Sequence, residues 1–220
     1  MREGEQLGVP SPARPLSESP PLTQFITFEG PDGSGKTTQI SLLAERLRSK
    51  GHDVLVTREP GGGGPVSEQI RSLLLHSGDM ARNTEMLLFF AARAEHVATL
   101  IRPALAQGKV VLCDRYTDST LAYQGHGLGV DLTTIRELHR FATGDLWPAR
   151  TVVLDIPPEI GLQRQGDVNR MEERGLSFAR KVREGFLALA NEEPDRIRVV
   201  DASGAVADVA ERVWTAVTGP

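Results

Sequence analysis

The chain has 220 residues, a formal net charge of −4, 40% hydrophobic residues and 25% charged residues. That length suits one domain with a substantial core, and the acidic balance leaves no basic footprint for nucleic acid. A single cysteine, Cys113, excludes an intrachain disulfide, and no run approaches the ~18 apolar residues of a membrane span.

In chain order, residues 1–24 are rich in Pro, Ser, Gly and Glu. They bury too little apolar surface to fold, so a disordered leader is expected there. No apolar signal-peptide core opens the chain, which predicts a cytoplasmic protein with no membrane partner. From Phe25 to Pro220 the pattern is that of one domain. Apolar runs at Phe25–Phe28, Val54–Val56, Val110–Cys113, Thr151–Leu154 and Ile197–Val200 read as strands. Their near-continuous apolar character predicts burial on both faces, as in a parallel sheet. Helical spacing fills the gaps, for instance at Lys36–Ser49, Thr84–Gln107 and Met171–Asn191. The alternation predicts an α/β fold, a doubly wound sheet of about five parallel strands flanked by helices. Such sheets bind ligands beyond the carboxyl ends of their strands.

Beyond the first strand, Gly30-Pro31-Asp32-Gly33-Ser34-Gly35-Lys36-Thr37 matches the G-x-x-x-x-G-K-[ST] phosphate loop. Its glycines let successive N–H groups turn inward onto phosphate oxygens, and the helix that follows adds its positive end. This predicts ATP binding by Gly30–Thr38, with Lys36 reaching the β- and γ-phosphates and Thr37 on Mg²⁺. The third strand ends in Asp114, the expected second Mg²⁺ carboxylate. No Asn-Lys-x-Asp guanine motif and no Leu-Ser-Gly-Gly-Gln signature occurs. A kinase for a phosphorylated acceptor must bring two anions together, and Arg58 and Arg115 follow strands two and three at the ligand-binding edge.

Three segments carry a resemblance to a known family. Arg58-Glu59-Pro60-Gly61-Gly62, Leu87-Leu88-Phe89-Phe90-Ala91-Ala92-Arg93, and Asp114-Arg115-Tyr116 followed by Ser119-Thr120 and Ala122-Tyr123-Gln124-Gly125 resemble the signatures of thymidylate kinases. The likeness runs from Phe25 to about Ser203. It implies an ATP- and Mg²⁺-dependent dTMP kinase, generally a homodimer, in which Phe89 stacks on thymine and Arg93 and Gln124 bond the base. It also implies that Tyr123 packs near sugar and base, Asp32 accepts from the 3′-hydroxyl, and Arg58 and Arg115 clamp the acceptor phosphate. Ser119 and Thr120 are expected at the same substrate site.

The chain departs from the family pattern in places. Gly63 and Gly64 stand where a Thr often follows the two glycines, which predicts a looser loop. The phosphate loop has no Arg at its centre, so the catalytic Arg is expected in a short lid near residues 161–172, as Arg164 or, second, Arg170. Two other readings stay open: another P-loop deoxynucleoside or nucleotide kinase, and a non-catalytic ATP-binding regulator.

Overall fold

The computed structural model describes residues 24–164 and 175–219. All but the last residue of the expected leader lies outside them. Five parallel strands form one sheet: β1 (Phe25–Glu29), β2 (Val54–Arg58), β3 (Val110–Asp114), β4 (Arg150–Asp155) and β5 (Ile197–Asp201), in the order β2-β3-β1-β4-β5. The expected sheet is therefore present, with each strand extended by one or two residues.

Burial follows position in the sheet. The central strands β1, β3 and β4 are buried almost throughout, because helices cover both faces. The edge strands β2 and β5 are only half covered, with Val56 and Val199 exposed. Successive side chains on a strand point to opposite faces. Ile26 and Phe28 of β1 and Leu154 of β4 therefore meet Leu43 and Leu47 of α1 (Lys36–Ser49) and Val213 of α9 (Val206–Thr218). Phe25, Val111 and Cys113 face the other way, onto Val97, Ile101 and Tyr116.

That second face is covered mainly by long helical segments. α3 (Arg82–His96) runs through a π-helical turn at Val97–Ile101 into α4 (Arg102–Ala106). This is the long helix the spacing predicts, with a widened turn in its middle. After β3, a short helix α5 (Thr117–Thr120) passes into a π-helical stretch at Leu121–Gly127. Wide turns of this kind recur where a helix must re-aim side chains toward a site. α6 (Leu132–Thr143) starts on an Asp131 cap that accepts from the Thr134 N–H at 2.8 Å. α2 (Pro65–His76), α7 (Pro158–Arg164) and α8 (Gly175–Glu192) complete the described helices.

The chain leaves β1 to form β2, returns to fill the space between them with β3, and then crosses to β4 on the other side. Strand order reverses at β1, and the crevice this opens lies at the carboxyl ends of the strands. Buried polar contacts brace the sheet just below it. Thr27 and Thr151 share a hydrogen bond of 2.9 Å between β1 and β4. Arg196 donates to both oxygens of the buried Asp118 in α5, at 2.7 and 2.9 Å, and so ties the segment after β3 to the start of β5.

Leu47 is fully buried between α1 and the sheet. Leu47→Ala is expected to destabilise the fold by ~2–5 kcal/mol, read from urea unfolding midpoints at unchanged m-value.

Candidate active site

A cleft of about 580 Å³ opens at the carboxyl ends of β1, β3 and β2. That volume is in the range of sites that take small molecules. Lys36, Thr37 and Thr38 line one part; Phe89, Arg93, Tyr123 and Gln124 line another; Arg58, Asp114, Arg115, Ser119 and Thr120 lie on the same wall. Residues separated by up to 92 positions in sequence are thereby brought into one space.

The phosphate loop bridges β1 and α1. Gly35 adopts a left-handed conformation (φ 90°) immediately before Lys36, which is what lets the helix begin there. The Lys36 ammonium is buried and donates to the carbonyls of Gly30 (3.3 Å) and Pro31 (3.0 Å). Gly30, Pro31 and Ser34 thus form the back of the loop, while Asp32, Gly33, Gly35, Lys36, Thr37 and Thr38 face the cleft. Burial, and then the Arg115 charge, pull Lys36 down to about 8. The Thr37 hydroxyl donates to Asp114 Oδ2 at 3.1 Å, which sets a hydroxyl at the start of α1 beside a carboxylate at the end of β3.

Asp114 leads into the turn that carries Arg115. Arg115 has φ 69°, rare for a residue with a side chain, and its surroundings over-determine that conformation. Its guanidinium donates to Asp32, to the Gly30 carbonyl (3.2 Å) and to Ser119 Oγ (3.0 Å). Asp32 also accepts from the Tyr123 hydroxyl at 3.3 Å. Burial works against an ionised Asp32, but the Arg115 and Lys36 charges outweigh it and hold the carboxyl below its usual range. Under the turn sits Glu29, which accepts from the Tyr116 N–H (2.7 Å) and from Ser119. Burial, and then the nearby Asp118 charge, push Glu29 up to about 8.

On α3, Phe89 and Arg93 are four residues apart and share a face; both line the cleft, whereas Phe90 turns into the core. Arg93 is almost completely buried. Its Nε donates to Glu59 Oε2 at 2.7 Å and its Nη2 to Thr120 Oγ1 at 3.1 Å, while its Nη1 has no partner among the described residues. Gln124 donates to Glu85 at 2.9 Å. Arg58 is half-exposed and forks Glu68 at 3.1 and 3.2 Å.

The comparisons with known proteins fall on this same stretch of chain. Residues 28–213 match the family profile described as thymidylate kinase. The chain belongs to the thymidylate kinase family. It is 55% identical over 201 residues to the thymidylate kinase of Thermomicrobium roseum, covering 90% of this chain and 95% of that protein. It is 52% identical over 204 residues to that of Syntrophotalea carbinolica, covering 88% and 94%. The crystal structure of a thymidylate kinase from Ehrlichia chaffeensis superposes with a TM-score of 0.75 at 37% identity, covering 89% of this chain and 98% of that one.

Set against the family pattern, the chain's Gly63 has a structural cause. A Cβ there would stand 2.7 Å from the backbone nitrogen of His96, so no side chain fits. Nor is the loop loose. Gly62 N–H donates to Glu68 (2.8 Å), Gly63 N–H donates to Ser67 (2.9 Å), and the Gly63 carbonyl accepts from Thr99 (2.8 Å). Sequence reasoning also missed Arg71, which lines the cleft beside Arg58 and donates to the Pro60 carbonyl at 2.6 Å. Its position one helical turn from Glu68 on α2 was the available signal. Glu59 stands inside the Arg58–Gly62 signature, but nothing there points to Arg93; Glu85, the anchor of Gln124, gave no signal. Of the expected lid, residues 161–164 end α7, which touches the phosphate loop: a Cβ at Gly161 would lie 2.6 Å from the Asp32 carbonyl. Residues 165–172, with Arg170, and the side chain of Arg164 lie outside the described residues.

Lys36 generates a prediction about pH. An unfolded lysine holds its proton to about 10.5, whereas Lys36 releases it near 8. Between these values the unfolded chain binds more protons, so this group adds stability as pH rises. The charged form is the one that attracts phosphate, so ATP affinity is expected to fall above pH 8, approaching about tenfold per unit. Calorimetric titrations at pH 7, 8 and 9 check this; Lys36→Arg should flatten the profile.

Proposed function

We propose that this enzyme transfers the γ-phosphoryl group of ATP to dTMP, giving ADP and dTDP, and that it does so mainly by aligning two anions and neutralising their charge. The observation that carries this reading is a single cleft that joins a phosphate loop to a second group of cations, Arg58, Arg71 and Arg115. A donor triphosphate on the loop and an acceptor monophosphate on the arginines would then meet within one enclosure. The acceptor oxygen is already anionic near neutral pH, so no strong general base is required. Alignment and electrostatic stabilisation of the transferring group supply the rate.

Each residue has a role in this reading. The N–H groups of Gly33–Thr38 and the Lys36 ammonium hold the donor phosphates. Arg58 and Arg115 clamp the acceptor phosphate, with Arg115 aimed by Asp32 and Ser119. Asp32 also accepts from the 3′-hydroxyl of the deoxyribose, against which Tyr123 packs. Phe89 stacks on thymine, Gln124 bonds its edge, and the unpaired Nη1 of Arg93 donates to a ring carbonyl. Thr120 keeps the Arg93 guanidinium in plane. The lid arginine of this reading is Arg164 or, second, Arg170, whose charge would offset that of the transferring group.

The adjacent Thr37 hydroxyl and Asp114 carboxylate fit Mg²⁺, a hard cation that takes few protein oxygens and completes its shell with phosphate and water. Among the described residues no group of three or more His, Cys, Asp or Glu could hold a metal ion. When bound there, it would screen charge on the donor's β- and γ-oxygens.

The assay that tests the function measures ADP formation from ATP and Mg²⁺ with dTMP, dCMP, dGMP, AMP or thymidine. Turnover with dTMP and background rates with thymidine are the expected result. Equal rates with and without dTMP would identify a regulator or a plain ATPase and overturn the reading. Arg115→Ala is expected to lower kcat/KM for dTMP by about 100-fold or more, with circular dichroism confirming a folded chain.

The reading includes a cytoplasmic homodimer. No described helix is long and apolar enough to cross a membrane. Leu73 on α2, Leu87 on α3 and Phe141 on α6 are exposed on helices that pack side by side, an apolar surface suited to a second copy of the chain. Sedimentation equilibrium should give twice the chain mass, and Leu87→Glu should shift the population to monomer.

A further inference from the structure

Arg93 is held by a relay of hydrogen bonds that begins outside the cleft. Its Nε donates to Glu59 Oε2, and the other oxygen of that carboxylate accepts from His96 Nδ1 at 3.0 Å. His96 Nε2 in turn faces Thr57 Oγ1 at 2.8 Å. All four side chains are buried, and neither His96 nor Thr57 lines the cleft. Burial works against an ionised Glu59, but the Arg93 charge and the His96 hydrogen bond outweigh it and hold the carboxyl below its usual range. An ionised carboxylate only accepts, so Nδ1 of His96 must donate to it. Nε2 pairs with the Thr57 hydroxyl, so both ring nitrogens are held and the ring plane is fixed from both sides.

Two glycines make room for this arrangement. A Cβ at Gly62 would stand 2.8 Å from His96 Nε2, and one at Gly63 would stand 2.7 Å from the His96 backbone nitrogen. The Glu-Pro-Gly-Gly-Gly segment after β2 and the end of α3 therefore interlock at His96. Held on one oxygen alone, the Glu59 carboxylate would be free to rotate about its terminal torsion and take the Arg93 Nε–H with it. A second donor on the other oxygen fixes its plane.

We propose that His96 is a positioning residue for the acceptor's base: acting through Glu59, it holds the Arg93 guanidinium in the wall of the cleft, with its buried Nη1 left unpaired. The inference rests on the dTMP kinase reading and deepens it. A guanidinium has only donors to offer. Fixed in this orientation, it accepts a pyrimidine that presents a carbonyl at that position and rejects one that presents an amino group, because two donors would then face each other in a buried site. The contribution of His96 is therefore read in base selectivity and not only in stability.

The experiment is steady-state kinetics on the full chain as wild type, His96→Leu, His96→Asn and Thr57→Val, with dTMP and dCMP as acceptors. His96→Leu is expected to raise KM for dTMP about tenfold, the equivalent of ~1.4 kcal/mol. KM for ATP and kcat should stay within about twofold, and the preference for dTMP over dCMP should fall by about tenfold. His96→Asn places an amide donor near the former Nδ1 and should restore most of the affinity. Thr57→Val keeps the shape, frees one side of the ring, and should raise KM for dTMP about threefold. If the leucine variant does not fold, the asparagine and Thr57 variants decide, with wild-type KM and selectivity in Thr57→Val counting against the proposal. Equal rises in KM for both substrates, or unchanged selectivity in a folded His96→Leu, would overturn it. A wild type inert toward dTMP removes the kinase reading and this inference together; an active wild type with indifferent His96 variants removes only the inference.

Discussion

Positive charges gathered in one cleft repel each other, and the cleft is arranged around that repulsion. Lys36, Arg58, Arg71, Arg93 and Arg115 all line it. At short range and reduced dielectric each such pair costs several times what it would in water. The low value of Lys36, about 8, registers both burial and the Arg115 charge. The arrangement is tolerated because each arginine has its own acceptor. Arg115 has Asp32, Arg93 has Glu59, Arg58 has Glu68, and Arg71 has the Pro60 carbonyl. Three of these acceptors lie within two residues of a strand's end or in the loop behind it. The parallel sheet therefore brings cations and counter-charges together with one geometric device, the convergence of carboxyl ends.

The acceptors also fix direction. A guanidinium forked by a carboxylate or clamped by carbonyls is pre-aimed before any substrate arrives. Arg115 illustrates the cost, since it is held in a left-handed backbone conformation that non-glycine residues seldom adopt. What maintains it lies a layer deeper. Glu29 accepts from the Tyr116 N–H just before the short helix after β3 and from Ser119 within it, and Asp118 in that helix is locked to Arg196. The strained residue is thus anchored from below by β1 and from beyond by β5.

Much of this was legible in the sequence, for identifiable reasons. The central strands announced themselves because burial on both faces fills most of their length with apolar residues. The phosphate loop was legible because its glycines and the Lys-Thr pair act through local backbone geometry. Phe89 and Arg93 could be placed on one face because helical spacing is also local. Arg71 was legible only as a helical neighbour of Glu68; nothing on α2 shows that the Pro60 carbonyl, eleven residues earlier, takes its guanidinium. Glu59, His96 and Thr57 were hidden for the same reason, since their bonds join β2 to α3 across 34 to 39 positions. Gly63 shows the limit in reverse. Read locally, a run of glycines means a slack loop; packed against His96, it is a close approach of two backbones that only glycine allows.

Buried polar atoms without partners separate structural leftovers from functional design, provided position is weighed with them. Five side-chain atoms among the described residues are of this kind: Ser34 Oγ, Gln39 Oε1, Arg93 Nη1, His126 Nε2 and Arg150 Nε. Each represents a cost of ~1–3 kcal/mol relative to a satisfied group. Only Arg93 belongs to the lining of the cleft. There the same guanidinium has one nitrogen on a carboxylate, one on a hydroxyl, and rings of Phe90 and Tyr116 at 4.9 and 5.2 Å. In the proposed reading, a side chain immobilised so thoroughly, with one buried donor left over in a residue of the cleft wall, gains its missing bond when a carbonyl-bearing base enters. On that reading the energy withheld in the free protein would go into recognition, and an amino-bearing base would not gain it.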